Sequence, residues 1–216
     1  MPARATTVPP PIPAGACLDL ASFSAEMAKA FEKEANGALL HLDLDGLHDL
    51  NVAHGRDVGD KIIAVATSVL KKWAHDERWL LGRVGGDEFS MFAPAVPLES
   101  AFLRADRLRQ ELDAAIAKAL PRGARCTASI GVASAPRDAK TPHELRRKAD
   151  LALHTAKEQG GDTVGLTPGD EMVLKSSYYG QAQLARLKAL AERQKKKEAV
   201  LLREALDDVL LKYDRA

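Results

Sequence analysis

Residues 83–89 read Arg83-Val84-Gly85-Gly86-Asp87-Glu88-Phe89, a pair of glycines and a pair of acids set between apolar runs. Trp79 to Arg83 before the glycines and Glu88 to Ala93 after them have the length and residue types of short strands. Glycine adopts the backbone angles that a tight reversal needs, so the stretch predicts a hairpin with carboxylates at its tip.

Upstream, Ala38 to Leu44 predicts a short buried strand that also ends in acid. Between the strands, Asn51 to Trp73 reads as one helix, with Ile62, Ile63, Val65, Ala66, Val69 and Leu70 as its apolar face. Leu98 to Leu120 is a second amphipathic helix, stopped by Pro121-Arg122-Gly123. Thr127 to Ala133 predicts a strand with Gly131 at a bulge. Thr141 caps a further helix with Pro142 at its first position; it runs to Gly160-Gly161, and Thr163 to Leu166 forms an edge strand. A leading helix from Leu18 carries Leu20, Phe23, Met27, Ala30 and Phe31 and stops near Asn36-Gly37. The core order is βαββαβ, an α+β fold of ferredoxin-like type.

The flanks differ from this core. Residues 1–17 are rich in Pro, Ala and Thr and predict a disordered tail before a domain over 18–166. Residues 170–216 predict a helical extension, with Leu184, Leu187, Ala191, Leu202, Leu206, Val209 and Tyr213 at helical spacing. As one helix from 171 to 213 it would be roughly 60 Å long, so it either folds back or pairs with another chain. That makes it a candidate element for dimerisation or for a protein partner.

Across 216 residues, 46% are hydrophobic and 28% charged, the balance of a soluble domain with a sizeable core. A net charge of +1 gives no reason to expect nucleic acid as a partner. Cys17 and Cys126 are too few for a disulfide framework and suit a reducing compartment. Pro9, Pro10, Pro11 and Pro13 interrupt the N-terminal apolar stretch against a signal peptide, and no run approaches the ~20 apolar residues of a membrane span. The expected location is the cytoplasm.

In the predicted sheet the end of the first strand lies beside the hairpin, so Asp43 and Asp87 converge. Carboxylates meeting without a basic partner need a cation, and hard oxygen donors suit Mg²⁺ (or Mn²⁺) held jointly with substrate phosphates. Each of these residues also has a plainer role. Asp43 and Asp87 can be solvated turn carboxylates, Asn51 a helix cap and Lys157 an exposed helix lysine. The six histidines show no metal-ligand spacing and read as surface or packing residues, and Trp73 and Trp79 as core.

Gly85-Gly86-Asp87-Glu88-Phe89 resembles the signature of GGDEF domains, the diguanylate cyclases. Asp43-Leu44-Asp45, Leu47, Asn51, Gly55, Gly59 and Asp60 match the family's first-strand motif in step, as do Ser129 to Ala133 and Ala149 to Lys157. The resemblance covers about residues 20 to 166. It implies a cyclase that condenses two GTP into cyclic di-GMP with release of pyrophosphate. It implies metal binding by the carboxylates of Asp43, Asp87 and Glu88 and the main-chain carbonyl of Leu44. Asp87 or Glu88 would help deprotonate the 3′-hydroxyl. Asn51 and Asp60 would read the guanine, the amides around Leu47 and His48 would face the phosphates, and Lys157 would neutralise them. A symmetric product also implies a homodimer, because each site holds one GTP.

Four departures bear on that expectation. Gly160-Gly161-Asp162 stands where the family has Gly-Arg-Asn, so a phosphate-binding cation is missing and an anion has moved in. His48 stands where lysine is common. Val52 and His154 replace a usual Asp and Tyr as structural changes. Asp76-Glu77-Arg78-Trp79 occupies the place of the Arg-x-x-Asp product-inhibition site, which predicts no feedback inhibition there. Besides the cyclase, two readings stay open: a weak or inactive module that binds GTP or protein partners, and relaxed base choice giving mixed products.

Overall fold

Cys17–Leu18 form a two-residue strand, β1, where the sequence predicts only the end of a tail and the start of a helix. There follow α1 (Leu20–Lys33), β2 (Gly37–Asp45), α2 (Leu47–His54), α3 (Arg56–Glu77), β3 (Leu80–Arg83), β4 (Glu88–Pro94), α4 (Leu98–Ala119), β5 (Thr127–Ala135), α5 (Pro142–Glu158), β6 (Val164–Leu166) and α6 (Gln181–Gln194). This computed structural model describes residues 15–33, 36–167 and 179–194, with scattered positions beyond 195. The expected tail over 1–14 and most of the extension after 194 lie outside the described residues. Two compact units divide the chain, one up to residue 171 and one from 172. Within the second, α6 carries the predicted Leu184, Leu187 and Ala191. Among the described residues no helix is long and apolar enough to cross a membrane.

The strands make one sheet in the order β1-β3-β4-β2-β5-β6. β2 runs antiparallel to β4 and β5, while β1 pairs parallel with β3 and β6 with β5. The inner order β3-β4-β2-β5 is the ferredoxin-like arrangement expected from βαββαβ.

Strand alternation sorts the faces of β2. Leu40, Leu42 and Leu44 enter a core shared with Ile62 and Leu70 of α3 and with Leu108 and Leu112 of α4. Leu39 joins the opposite core with Phe23 and Phe31 of α1 and Leu145 and Ala149 of α5. His41 and Asp43 are in phase with Leu39, so the face under α5 becomes polar toward the end of the strand.

Two sequence expectations change. The helix predicted over Asn51–Trp73 is two helices that begin earlier, at Leu47. Gly55, at φ 88°, ends α2 by donating its N–H to the Asn51 carbonyl, and α3 restarts beyond it. That angle is open to glycine and strained for other residues. Gly131 is also not at a bulge: its pairing is continuous, Leu42 with Ile130, His41 with Gly131 and Leu40 with Val132. A Cβ there would lie 2.1 Å from the Leu153 nitrogen, so the glycine admits the backbone of α5. The Thr141 cap is present, its hydroxyl accepting from the Glu144 N–H at 3.2 Å.

Candidate active site

Asp43 is the seventh residue of β2 and faces Glu88 of β4 across the ladder. Antiparallel pairing therefore brings the acidic strand end and the hairpin together. Asp43 is only 7% exposed. Burial pushes its carboxyl above the usual range, and the charges of Asp87 and Asp45 push the same way. Lys157, from the last turn of α5, opposes them with its Nζ 2.8 Å from Asp43 Oδ1. The sequence expectation that these carboxylates meet without a basic partner is thus corrected. The lysine is 114 residues away in sequence and reaches Asp43 only through the fold, and strand spacing gave no sign of it.

The hairpin tip is shaped by its own side chains. Val84 and Gly85 donate main-chain N–H groups to the Glu88 carbonyl, and the Arg83 guanidinium bonds the Gly86 carbonyl. Glu88 folds over Gly85, where an added Cβ would sit 2.6 Å from Glu88 Oε2. Asp87 is half-buried at the tip. Leu44 buries its side chain in the core, so only its main chain can serve the site.

The other predicted residues are spread around α2 and α3. Gly46, at φ 75°, turns the chain from β2 into α2. Leu47 is buried and His48 exposed in the first turn of that helix. Asn51 has a buried Oδ1 with no partner among the described residues, pressed against Gly59, where a Cβ would lie 1.9 Å away. Asp60 is exposed and lines a cavity of about 520 Å³ with Thr67, Ser68, Lys71 and Arg83. Asp43, Glu88, Asp87 and Lys157 are brought together; Asp60 faces this separate cavity.

The structure gives partners to residues that the sequence named without assigning them a role in the site. Asp45 accepts from Thr127 Oγ1 at 3.0 Å, from Ser129 Oγ at 2.8 Å and from the Asp162 N–H at 3.0 Å. Asp162, the anion that stands where the family has Asn, is engaged by Arg109 and lies 3.5 Å from Arg125. Under α5, buried His41 places Nδ1 2.8 Å from Ser90 Oγ and Nε2 3.4 Å from Asp150. Burial lowers its pKa, against the pull of Asp150. The alternation that puts His41 on the same face as Asp43 was the available signal for it.

Among the described residues no three His, Cys, Asp or Glu side chains form a metal cage. The donors at the strand end are nonetheless hard oxygens, and Lys157 already stands as a cation against one of them. Such a set fits a small divalent ion that takes its remaining ligands from phosphates and water.

Comparison with known proteins bears on this arrangement. Residues 20–163 match the family described as "Diguanylate cyclase, GGDEF domain". An uncharacterized protein of Mycobacterium tuberculosis is 39% identical over 141 residues, covering 63% of this chain and 22% of its own length. The probable diguanylate cyclase DgcT of Escherichia coli is 32% identical over 127 residues, covering 57% and 27%. The chain thus spans about a quarter of the length of these curated relatives. The active GGEEF domain of a diguanylate cyclase from Vibrio cholerae has the same fold, with a TM-score of 0.65 at 22% identity over 71% of this chain and 99% of that one. With two thirds of its length matched to the family and the acidic strand end and hairpin side by side, the chain belongs to the GGDEF-domain family of diguanylate cyclases.

Proposed function

We propose that the chain is a diguanylate cyclase, condensing two GTP into cyclic di-GMP and releasing two pyrophosphates. The observation that carries this reading is the pairing of Asp43 against Glu88, with Asp87 beside them and Lys157 on Asp43, in a member of this family. Asp43, Asp87 and Glu88, with the main-chain carbonyl of Leu44, would hold Mg²⁺ or Mn²⁺. When bound, the ion neutralises phosphate charge and lowers the pKa of the attacking hydroxyl.

The protein's own groups carry the rest. Asp87 or Glu88 accepts the proton of the 3′-hydroxyl. The 3′-oxygen then forms a bond to the α-phosphorus of the opposite nucleotide as the bond to pyrophosphate breaks. Lys157 is poised to exchange Asp43 for phosphate oxygens, matching charge that builds on the leaving group. Asn51, with its unpartnered Oδ1, and Asp60 take the guanine edge, since an amide and a carboxylate complement its donors and acceptors. The amides of Leu47 and His48 open α2 and face anions there. Because each site holds one GTP, the active species is a homodimer in the cytoplasm. The helical extension is the element we assign to pairing or to a protein partner.

One observation favours the alternative of a weak or inactive nucleotide-binding module. Lys157 is already engaged by Asp43, and Gly161 supplies no second cation for the phosphates. Incubation with labelled GTP, alone or with ATP, and Mg²⁺ separates the readings. Cyclic di-GMP is expected; nucleotide binding without any product would sink the cyclase. A mixed product would instead establish relaxed base choice. Product added in excess is expected to leave the rate unchanged, since the segment Asp76 to Trp79 lacks the Arg-x-x-Asp pattern.

A further inference from the structure

A cavity of about 250 Å³ lies along α5, lined in part by Lys157 and Glu88 of the candidate site and by His41, Arg146 and Asp150. It is continuous with the acidic strand end through two shared residues, yet nothing in the proposed reaction uses the rest of it. The charge balance there is unfavourable for a nucleotide. Asp43, Asp45, Asp87 and Glu88 gather around one end, and the nearest cation, Lys157, is bound to Asp43. A triphosphate carries several negative charges of its own and needs further cations to settle beside four carboxylates.

Arg146 meets that need. It is half-buried on α5, and it makes no hydrogen bond or ion pair with any described residue. Asp150 stands one turn further along the helix, at the spacing where an Arg–Asp pair usually forms. Instead, Asp150 is turned to His41 at 3.4 Å, and His41 is fixed by Ser90. The buried histidine thereby draws away the carboxylate that would otherwise occupy the guanidinium. What remains is an unpaired, planar, multiply donating cation at a cavity that also holds Lys157, a geometry suited to phosphate oxygens.

We propose that Arg146 is a further phosphate-binding residue of this site, taking the outer phosphates of the guanosine nucleotide in the α5 cavity. The proposal rests on the reading that the chain binds GTP. Its test is calorimetric titration of the full chain, with Mg²⁺, using the α,β-methylene analogue of GTP and, separately, GMP. Arg146→Gln is expected to weaken the triphosphate about tenfold or more and to leave GMP unchanged. Arg146→Lys should recover part of the loss. If Arg146→Gln does not fold, Arg146→Leu keeps the packing of the stem and carries the same two expectations. Wild-type binding that Arg146→Gln leaves intact, or an equal loss for both nucleotides, would overturn this role while leaving the cyclase reading standing. A wild-type chain that binds neither nucleotide would overturn both.

Discussion

Asp43 and Asp45 sit two residues apart on one strand, under the same helix, and have opposite environments. Asp45 is saturated: two hydroxyls and a main-chain N–H donate to it, tying β2 to β5 and to the loop after α5. Asp43 is more deeply placed and has a single lysine partner, with like charges pressing on it. A carboxylate with every lone pair engaged holds a fold together. A buried carboxylate with spare acceptor capacity is costly to keep and is a place where a ligand can bind. The contrast sorts one motif into a structural half and a chemical half.

The sharpest way to break this comparison is Asp43→Asn. It should lower cyclic di-GMP formation on the order of a thousandfold by removing a ligand of the ion. Its melting temperature should hold or rise, because a desolvated charge is gone. A variant that melted well below the parent would put Asp43 in the structural half. Asp45→Ala should show the reverse order of effects, losing about 3 kcal/mol in chemical denaturation as charge-assisted bonds vanish and the fully buried Ser129 loses its acceptor.

Lys157→Met is expected to cut turnover roughly thirtyfold through lost phosphate contact. Stability should also fall at neutral pH, since buried Asp43 is left without its cation against the charges of Asp87 and Asp45. The smallest effect tests the outer layer of the Asp45 anchor. Asp113 lies 2.9 Å from Arg109, but Arg109 also serves Asp106 and Asp162. Burial and the neighbouring Asp162 carboxylate therefore win, and Asp113 is pushed up to about 6. A folded form that holds its proton more tightly is favoured below that value and loses stability as pH rises from about 4 to about 6. Asp113→Asn should remove this dependence and melt a few degrees higher than the parent at pH 7.5, with the two converging below pH 4. Melting curves across pH decide it.

Much of the architecture was legible because its signals are local. The hairpin announced itself in adjacent glycines, the start of α5 in Thr141-Pro142, and the central strand in an apolar run broken only by His41 before it reaches its acid. What escaped was set by partners distant in sequence. β1 is two residues long and exists because Cys17 and Leu18 meet Leu81 and Gly82. The α2–α3 break depends on the angle at Gly55, and glycine alone does not declare its angle. In the candidate site the motif located Asp43, Asp87, Glu88 and Lys157, but not that Lys157 rests on Asp43. His41 and Asp150 likewise acquire meaning only once α5 is laid on the sheet.

How closely α5 is laid there has its own consequence. At Gly131 and Gly165 the helix backbone touches the strands directly: a Cβ at Gly165 would lie 2.2 Å from the Ala152 carbonyl oxygen. No side-chain layer remains to slide or repack between them. The phase of α5 against β2 is therefore locked like meshed gear teeth, and the entropy of aligning its lysine with the acidic strand end is surrendered during folding. A nucleotide arriving at this face meets an electrostatic template already assembled, so its binding should leave the amide exchange of α5 nearly unchanged.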